Sequence, residues 1–135
     1  MKNTVNNAKI INFPKIIDPR GNLSVFESNK EVPFEIKRTY WIFDVPGGEI
    51  RGGHAFKKQE ELIVVLSGSL DLVVFDGHEE KKFSLNRSYY GLYIPSGLWR
   101  HMENFATNTV ALVVSSTIFS EKDYIRDRTK FIKMY

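Results

Sequence analysis

The feature that most constrains the fold is a series of short apolar runs separated by turn-forming residues. Between residues 62 and 114 the runs are rich in Val, Ile, Leu, Tyr and Phe, and the breaks between them are Ser67-Gly68-Ser69, Asp76-Gly77, Asn86-Arg87-Ser88 and Pro95-Ser96-Gly97. Upstream, "IIDPRGNLSVFE" and "IKRTYWIFDVPGGEIRGGH" add three more strand-like pieces. Many short strands at near-regular spacing are typical of a β-sandwich or a barrel. The sequence therefore predicts an all-β fold.

The C-terminal tail has the one pattern that favours a helix. Ser120 followed by Asp123 is similar to a capping box and precedes "YIRDRTKFIKMY", which predicts a short C-terminal helix. No internal repeat, low-complexity tract or linker divides the 135 residues. We therefore expect a single domain, 1–135, which is long enough to bury a core of its own.

Charge and composition narrow the class of function. The chain has 19 Lys+Arg against 16 Asp+Glu, and its basic residues are scattered, so we expect no nucleic-acid partner. It has no apolar run of the roughly 18 to 20 residues that span a bilayer, and no signal-peptide h-region, so we expect no membrane partner. The lack of cysteine excludes thiolate chemistry and is compatible with a reducing cytoplasm, the expected location.

Several motifs resemble a known family. The run "RGGHA", followed by "LSGSLDLVVFDG", is similar to the first motif of cupins. In order and spacing, "IIDPRGNL", "PFEIKRTYWIFDVP", "RGGHAFKKQEELIVVLSGS", "GLYIPSGLW" and "EKDYIRDRTKFIKMY" resemble the small cupin enzymes that isomerise dTDP-4-keto-6-deoxyglucose to its 3-keto isomer. The resemblance implies a double-stranded β-helix (jelly roll), a homodimer, a dTDP-linked keto-deoxysugar as substrate, and no cofactor.

The reaction that this resemblance implies needs a base of near-neutral pKa. Moving a keto group from C4 to C3 requires removal of the proton at C3 and return of a proton to C4 through an enediol. Histidine has an ordinary pKa of about 6.5 and suits that task. His54 matches the first catalytic histidine of the family, and is our candidate base. For a lone histidine, the alternative is a hydrogen-bonded structural role at the barrel mouth.

Phe56 departs from the family pattern, which usually has a second histidine at this position. Residues two apart on a strand share a face, so His54 and Phe56 should face one compartment. A phenyl ring transfers no proton. Either His54 works with another donor, such as Tyr40, or the chain catalyses a related isomerisation or epimerisation, or it binds a nucleotide sugar without turnover. Phe56 itself is expected to pack in the core or the substrate cavity.

The same region bears on metal binding. A cupin metal centre needs two histidines and a glutamate in the first motif and a third histidine in the second. Phe56 breaks that set, and Arg100 stands where these isomerases tend to have a histidine, with His101 one place later and on the opposite strand face. We therefore expect no catalytic metal. Glu60 or Glu61 could face the cavity and orient His54, and the other would then be exposed.

Three further side chains, Arg38, Arg51 and Trp99, are candidates for substrate binding, and Tyr40 is a second catalytic candidate beside His54. Arg38 and Tyr40 share a face in "KRTYW", where Arg38 offers a charge for pyrophosphate and Tyr40 an acid or hydrogen-bond donor. On periodicity alone, an outer-face pair is equally compatible. Arg51 offers a second charge for phosphate, and Trp99 an aromatic surface for a base or sugar. Together with Glu60, Phe56 and Arg100, these residues complete the predicted binding set.

Overall fold

The computed structural model describes residues 2–135, in which twelve strands precede one α-helix. The strands are β1 (Lys9–Asn12), β2 (Lys15–Ile16), β3 (Leu23–Ser24), β4 (Arg38–Ile42), β5 (Arg51–Phe56), β6 (Glu61–Ser67), β7 (Leu70–Phe75), β8 (Glu80–Leu85), β9 (Tyr90–Ile94), β10 (Trp99–Glu103), β11 (Val110–Ser115) and β12 (Tyr124–Ile125), and the helix is α1 (Arg128–Met134). Within residues 2–135, no helix has the length and apolar character needed to cross a membrane.

Ten of the strands form two five-stranded antiparallel sheets. The first has the order β1-β9-β6-β11-β4 and the second has the order β12-β5-β10-β7-β8, while β2 and β3 form a separate hairpin. From β4 to β7 the chain alternates between the two sheets, which is the winding of a double-stranded β-helix. The predicted all-β jelly roll with a short C-terminal helix is confirmed.

Strand β6 explains how the layers pack. Its residues Ile63 and Val65 face the core between the two sheets, which they share with apolar side chains of the other strands. The alternate residues Leu62 and Val64 face outward but are covered by the N-terminal segment, including Phe34. Because both faces of β6 are buried, its sequence "ELIVVLS" is a continuous apolar run with no alternation.

The predicted start of the C-terminal helix at Ser120 is wrong. The Ser120 side chain makes no capping hydrogen bond, and residues Glu121–Asp123 form only a single 3₁₀ turn before β12. The helix begins after Asp127, whose carboxylate accepts hydrogen bonds from the backbone N–H groups of Thr129 and Lys130. Asp127 takes the capping position because the residues before it pair with β5 as a strand.

Candidate active site

An arginine-rich cavity of about 360 Å³ opens between the edge strand β4 of the first sheet and strands β5, β10 and β12 of the second. Four arginines line it, and they are Arg38, Arg51, Arg100 and Arg126. The same wall contains His54, Tyr40 and Tyr124 but no carboxylate. A cavity with this charge favours an anionic ligand of the size of a phosphorylated small molecule.

His54 lies in this wall and is 9% exposed. Its ring centroid is 4.8 Å from that of Phe56 and 5.0 Å from that of Tyr124. Among residues 2–135, its Nε2 atom has no hydrogen-bond partner. Burial, and then the charges of Arg100, Arg126 and Arg38, lower the pKa of His54 to about 2. The imidazole is therefore neutral at physiological pH, the form in which one ring nitrogen carries no proton.

Arg100 is the fully buried charge beneath the cavity. Its Nε donates to Oε2 of Glu61 at 3.0 Å, and its Nη2 donates to Oε1 of the same carboxylate at 2.9 Å. Nη2 also donates to the Tyr40 hydroxyl at 3.2 Å, and Nη1 donates to the Gly52 carbonyl at 2.8 Å. Burial alone would lower the pKa of Arg100, but the charges and hydrogen bonds of Glu61 and Tyr40 together outweigh it, so the pKa is raised and the guanidinium stays charged.

The guanidinium keeps one hydrogen for a ligand. Arginine has five N–H donors, and the four hydrogen bonds to Glu61, Tyr40 and Gly52 leave one hydrogen of Nη1 without an acceptor in the described part of the chain. Arg100 lines the cavity, so that donor is a candidate group for a substrate oxygen.

Tyr40 belongs to the same network. Its hydroxyl donates to Oε1 of Glu61 at 3.0 Å while it accepts from Arg100. Burial, and then the negative charge of Glu61, raise the pKa of Tyr40 well above its usual value. Tyr40 thus stays protonated, and its one proton is already shared with a carboxylate.

Arg38 lies at the cavity with weaker internal contacts. Its Nη2 is 3.4 Å from Oε1 of Gln59, and its Nε is 3.4 Å from Oγ of Ser115. The guanidinium carbon lies 5.1 Å from the centroid of the Tyr40 ring, on the face opposite to Trp41, which is 58% exposed. Arg38 and Tyr40 share a face, as the spacing of two residues predicted, and in the structure this is the cavity face rather than the outer face.

The structure distinguishes the neighbouring residues Glu60 and Glu61. Glu61 lies behind the cavity wall, where it accepts hydrogen bonds from Arg100, whereas Glu60 lies on the other side of the strand and accepts a hydrogen bond from Tyr93 at 2.5 Å. The placement of Glu60 in the substrate cavity is therefore wrong. The physical reason is strand alternation, since Glu60 lies on the same side as Leu62 and Glu61 on that of Ile63.

Trp99 is likewise placed away from the cavity. It packs with Ala55 and Ile125 under α1, with its ring centroid 5.8 Å from that of Phe131. Because Trp99 and Arg100 are consecutive on β10, they face opposite sides of the sheet, and only Arg100 reaches the cavity. His101, one place later, also faces away and pairs with Glu103 at 2.7 Å.

Phe56 shares a side of β5 with His54, as predicted. It is buried, and the guanidinium carbon of Arg100 lies 5.8 Å from the centroid of its ring. Phe56 therefore packs behind the cavity wall, where it supplies an apolar surface to His54 and Arg100 and no proton donor.

The sequence analysis did not identify several residues that lie at the cavity or directly behind its wall. Tyr124 and Arg126 line the cavity, with the guanidinium carbon of Arg126 4.1 Å from the centroid of the Tyr124 ring. Their spacing of two residues indicates a shared strand face, but this segment was assigned to the helix expected after Ser120, so the spacing was not used. Gln59 was also missed. It is buried, and its Nε2 donates to Oε1 of Glu61 at 3.1 Å.

These side chains do not fit a metal ion of the kind that cupins hold. His54 is the one imidazole in the cavity wall, and the two positions where a cupin would offer further imidazoles are Phe56 and Arg100. Glu61 already has its charge neutralised by Arg100. A cation beside His54 would also be repelled by the Arg100 guanidinium. In residues 2–135, no cluster of three or more metal-ligating side chains is present.

Comparison with known proteins identifies the family. The family model described as FdtA: WxcM-like, C-terminal, matches residues 6–135. TDP-4-oxo-6-deoxy-alpha-D-glucose-3,4-oxoisomerase of Aneurinibacillus thermoaerophilus is 44% identical over 125 residues, which are 93% of this chain and 90% of the relative.

Solved structures agree with that match. The WlaRB TDP-quinovose 3,4-ketoisomerase of Campylobacter jejuni is 43% identical with a TM-score of 0.91, and the match covers 96% of this chain and 99% of that one. A His-to-Asn mutant of the 3,4-ketoisomerase QdtA of Thermoanaerobacterium thermosaccharolyticum, in complex with TDP-4-keto-6-deoxyglucose, is 35% identical with a TM-score of 0.94 and coverages of 96% and 94%. The resemblance read from the motifs is confirmed, and this chain belongs to the WxcM-like C-terminal (FdtA) family.

Proposed function

We propose that this chain is a nucleotide-sugar 3,4-ketoisomerase that interconverts the 4-keto and 3-keto forms of a dTDP-linked 6-deoxyhexose. Its place would be in the synthesis of a deoxysugar for a surface glycan such as an O-antigen or an S-layer. The observation that supports this most strongly is the neutral, buried His54 in the wall of a cavity lined by four arginines. The named activities of relatives with more than 40% identity support the same reaction.

In the proposed mechanism, His54 is the base. It takes the proton from C3 of the 4-keto sugar, and the electrons of the C3–H bond form a C3=C4 enediolate with the negative charge on O4. The free N–H of Arg100 donates to that oxygen and stabilises the charge where it develops. His54 then returns its proton to C4. The O3 hydroxyl proton passes to O4 as the 3-keto group forms, so atoms and charge balance.

Tyr40 has a supporting part in this scheme. Its proton is shared with Glu61 and its oxygen accepts from Arg100, so we assign it to holding the guanidinium rather than to proton transfer. His54 is then the group that moves the carbon-bound proton.

The diphosphate of the substrate is proposed to bind Arg38, Arg51 and Arg126 at the cavity mouth. This binding would also tune the base. The positive charges of Arg126 and Arg38 contribute to the low pKa of His54, so an anion that neutralises them raises that pKa toward the range useful for proton transfer. The substrate thus helps to activate its own base.

The test is His54→Asn. Asparagine has a similar size and polarity but accepts no proton at neutral pH, so we expect kcat to fall by about 100- to 10,000-fold, near the upper end because Phe56 offers no second base. Affinity for dTDP should stay nearly unchanged, since the arginines remain. Turnover of dTDP-4-keto-6-deoxyglucose and deuterium exchange at C3 are followed by NMR, and dTDP binding by calorimetry.

A matched variant, Phe56→His, restores the usual second histidine in a similar volume. It should fold and keep or raise the wild-type rate. Wild-type turnover in His54→Asn together with loss in Tyr40→Phe would reassign the base to Tyr40. Exchange at C3 without rearrangement would indicate a related isomerase or epimerase. If the wild type binds dTDP but shows neither exchange nor rearrangement, the chain is a nucleotide-sugar-binding protein and the isomerase proposal fails.

We also propose that the chain acts as a homodimer in the cytoplasm. The isolated β2–β3 hairpin and the residues around it expose large apolar side chains, which are Ile10, Ile16, Ile17, Leu23 and Val25. A two-stranded hairpin is marginally stable alone, and a two-fold interface would cover the apolar surface of both copies at once. Light scattering at micromolar concentration should give twice the chain mass of 15.6 kDa. A monomer would contradict the proposal.

A further inference from the structure

Strand β5 has a bulge where it passes Arg100. His54 is opposite Arg100 and Arg51 is opposite Met102. Between these two pairs β5 has two residues where β10 has one, and the extra residue forms the bulge. Gly52 lies inside this bulge with φ of +74°, a backbone conformation that favours glycine. Bulges re-aim the groups of a strand and are frequent beside active sites. Here the bulge directs the Gly52 carbonyl toward the Arg100 guanidinium.

Gly52 contacts that guanidinium in two ways. Its carbonyl accepts a hydrogen bond from Nη1 of Arg100 at 2.8 Å. In addition, a Cβ atom at this position would lie 2.3 Å from the same Nη1 and 3.0 Å from Cε of Met102. The guanidinium therefore occupies the space that any side chain at position 52 would fill.

Arg100 is held from the other side by Glu61, which belongs to the opposite sheet. The guanidinium thus lies between a carboxylate on β6 and a carbonyl on β5. Glu61 supplies charge neutralisation, whereas Gly52 fixes how close the guanidinium approaches β5. Since His54 also lies on β5, that distance sets the position of Arg100 relative to His54.

We propose that Gly52 is a positioning residue, which by its carbonyl and its missing side chain fixes the Arg100 guanidinium beside His54 beneath the cavity. This inference deepens the proposed function, because it assumes that His54 and Arg100 act on the sugar. A substitution at Gly52 pushes the guanidinium off β5, and therefore away from both His54 and the substrate oxygen.

The first variant is Gly52→Ala. Displacement of the guanidinium should lower kcat by about 100-fold, the effect of misplacing a reacting group by about 1 Å, with a smaller change in KM. It should also change the chemical shifts of the His54 imidazole at pH 7, because the Arg100 charge no longer lies at the same distance from the ring. NMR of the imidazole signals measures this directly, since the chain has only three histidines. A merely structural glycine would leave those chemical shifts unchanged.

Gly68→Ala is the matched control. Gly68 has φ of +78° and lies between β6 and β7, and a Cβ there would be 2.3 Å from Oγ1 and 2.7 Å from the backbone Cα of Thr109. The substitution thus imposes similar backbone strain and a clash that is harder to relieve, but away from the cavity. The folded variant should keep kcat and the His54 chemical shifts at wild-type values. A loss equal to that of Gly52→Ala would mean that both effects are general destabilisation, and would overturn the proposal.

A second comparison tests whether the effect passes through the guanidinium. The double variant Glu61→Leu with Arg100→Met removes the group that the new Cβ would displace and leaves no unpaired charge buried. Adding Gly52→Ala to it should change the His54 chemical shifts far less than in the wild-type background, and an equal change in both backgrounds would overturn the proposal. If Gly52→Ala unfolds the wild type, it should still be tolerated in the double variant, and failure to fold there would overturn the proposal. Equally, a folded Gly52→Ala single variant with wild-type kcat and His54 chemical shifts would overturn it. The NMR readout requires no turnover, so an inactive wild type would refute the proposed function while this inference is still decided by NMR.

Discussion

Two arginine–glutamate pairs in this protein have nearly the same geometry and opposite surroundings. In each, Nε and Nη2 of the arginine donate to the two oxygens of one carboxylate, at 3.0 and 2.9 Å for Arg100–Glu61 and at 2.7 and 3.0 Å for Arg126–Glu121. The side chains of the first pair are each 2% exposed, whereas those of the second are 54% and 61% exposed. Both arginines line the cavity.

The difference shows that burial, and not hydrogen-bond geometry, decides what such a pair does. Around Arg100 little water remains to solvate a charge, so the guanidinium depends on the Glu61 carboxylate as its counter-charge. Around Arg126 water solvates both partners, and the pair can open to admit a phosphate at little cost. The buried pair therefore forms a fixed part of the site, while the exposed pair can exchange its carboxylate for a ligand.

The largest expected effect comes from breaking the buried pair. Glu61→Leu leaves the Arg100 charge buried without a counter-charge and removes the acceptor of the Tyr40 hydroxyl. We expect a loss of about 3–5 kcal/mol in the free energy of unfolding, measured by urea denaturation. A loss below 1 kcal/mol would mean that water reaches Arg100 and that the two pairs do not differ as described.

The double variant Glu61→Leu with Arg100→Met sharpens this result. Replacing a buried pair by apolar side chains of similar volume is often neutral or stabilising, so most of the stability lost in Glu61→Leu should return. Isomerase activity should not return, because the donor to the substrate oxygen is gone. Recovery of activity together with stability would show that Arg100 takes no part in the reaction.

A second prediction uses the effect of the two arginines on His54. The pKa of His54 is about 2 in the fold and 6.5 when unfolded, so below pH 6.5 the unfolded chain binds a proton that the folded chain does not. Stability contributed by the neutral histidine is therefore complete above pH 6.5 and falls at lower pH, by about 1.4 kcal/mol per pH unit.

His54→Asn should remove that slope, and urea denaturation between pH 7 and pH 5 measures it against the wild type. Arg126→Met should leave most of the slope, because burial and the Arg100 charge are the larger causes of the shift. An identical pH dependence in the wild type and His54→Asn would show that His54 protonates freely in the fold.

The smallest expected effect comes from the exposed pair. The hydrogen bond from Arg126 lowers the pKa of the Glu121 carboxyl. Glu121→Gln removes the charge of this exposed carboxylate, and the denaturation midpoint at pH 7 should stay within experimental error of the wild-type value. The same variant frees Arg126 for the diphosphate, so KM should stay equal or decrease slightly in low salt. A clear increase in KM would mean that Glu121 orients Arg126 for binding.

The sequence was sufficient for the fold class and for one side of the cavity. Turn-forming residues divided the chain into strands, and the spacing of two residues placed Arg38 with Tyr40 and His54 with Phe56 correctly. Such predictions succeed because side-chain direction alternates strictly along a strand. By the same rule, two consecutive residues of a strand cannot both face the cavity. Applied to Trp99 and Arg100, it would have shown that one of them lies on the other side of the sheet.

The rest of the site could not be predicted, because it depends on which face of each strand points inward and on contacts between strands that are distant in the sequence. Glu61, and not Glu60, lies on the side of Arg100. Because both sides of β6 are buried, the hydrophobicity of its neighbours could not show which of the two glutamates this would be. The link from Glu61 to Arg100 joins residues 39 apart in the sequence, on different sheets. No local pattern encodes such a contact in a single sequence.

The alternation of the chain between the two sheets also has a consequence for folding kinetics. Within residues 2–135, β7 and β8 are the only consecutive strands that pair with each other inside the two main sheets, and every other pair, such as β6 with β11 or β5 with β10, joins distant segments. Closing such long loops costs entropy before the contacts form, so all-β proteins of this kind fold in about milliseconds to seconds. The β7–β8 hairpin is the natural starting point, and the arginine-lined cavity assembles late, since β4, β5, β10 and β12 meet only when both sheets are nearly complete.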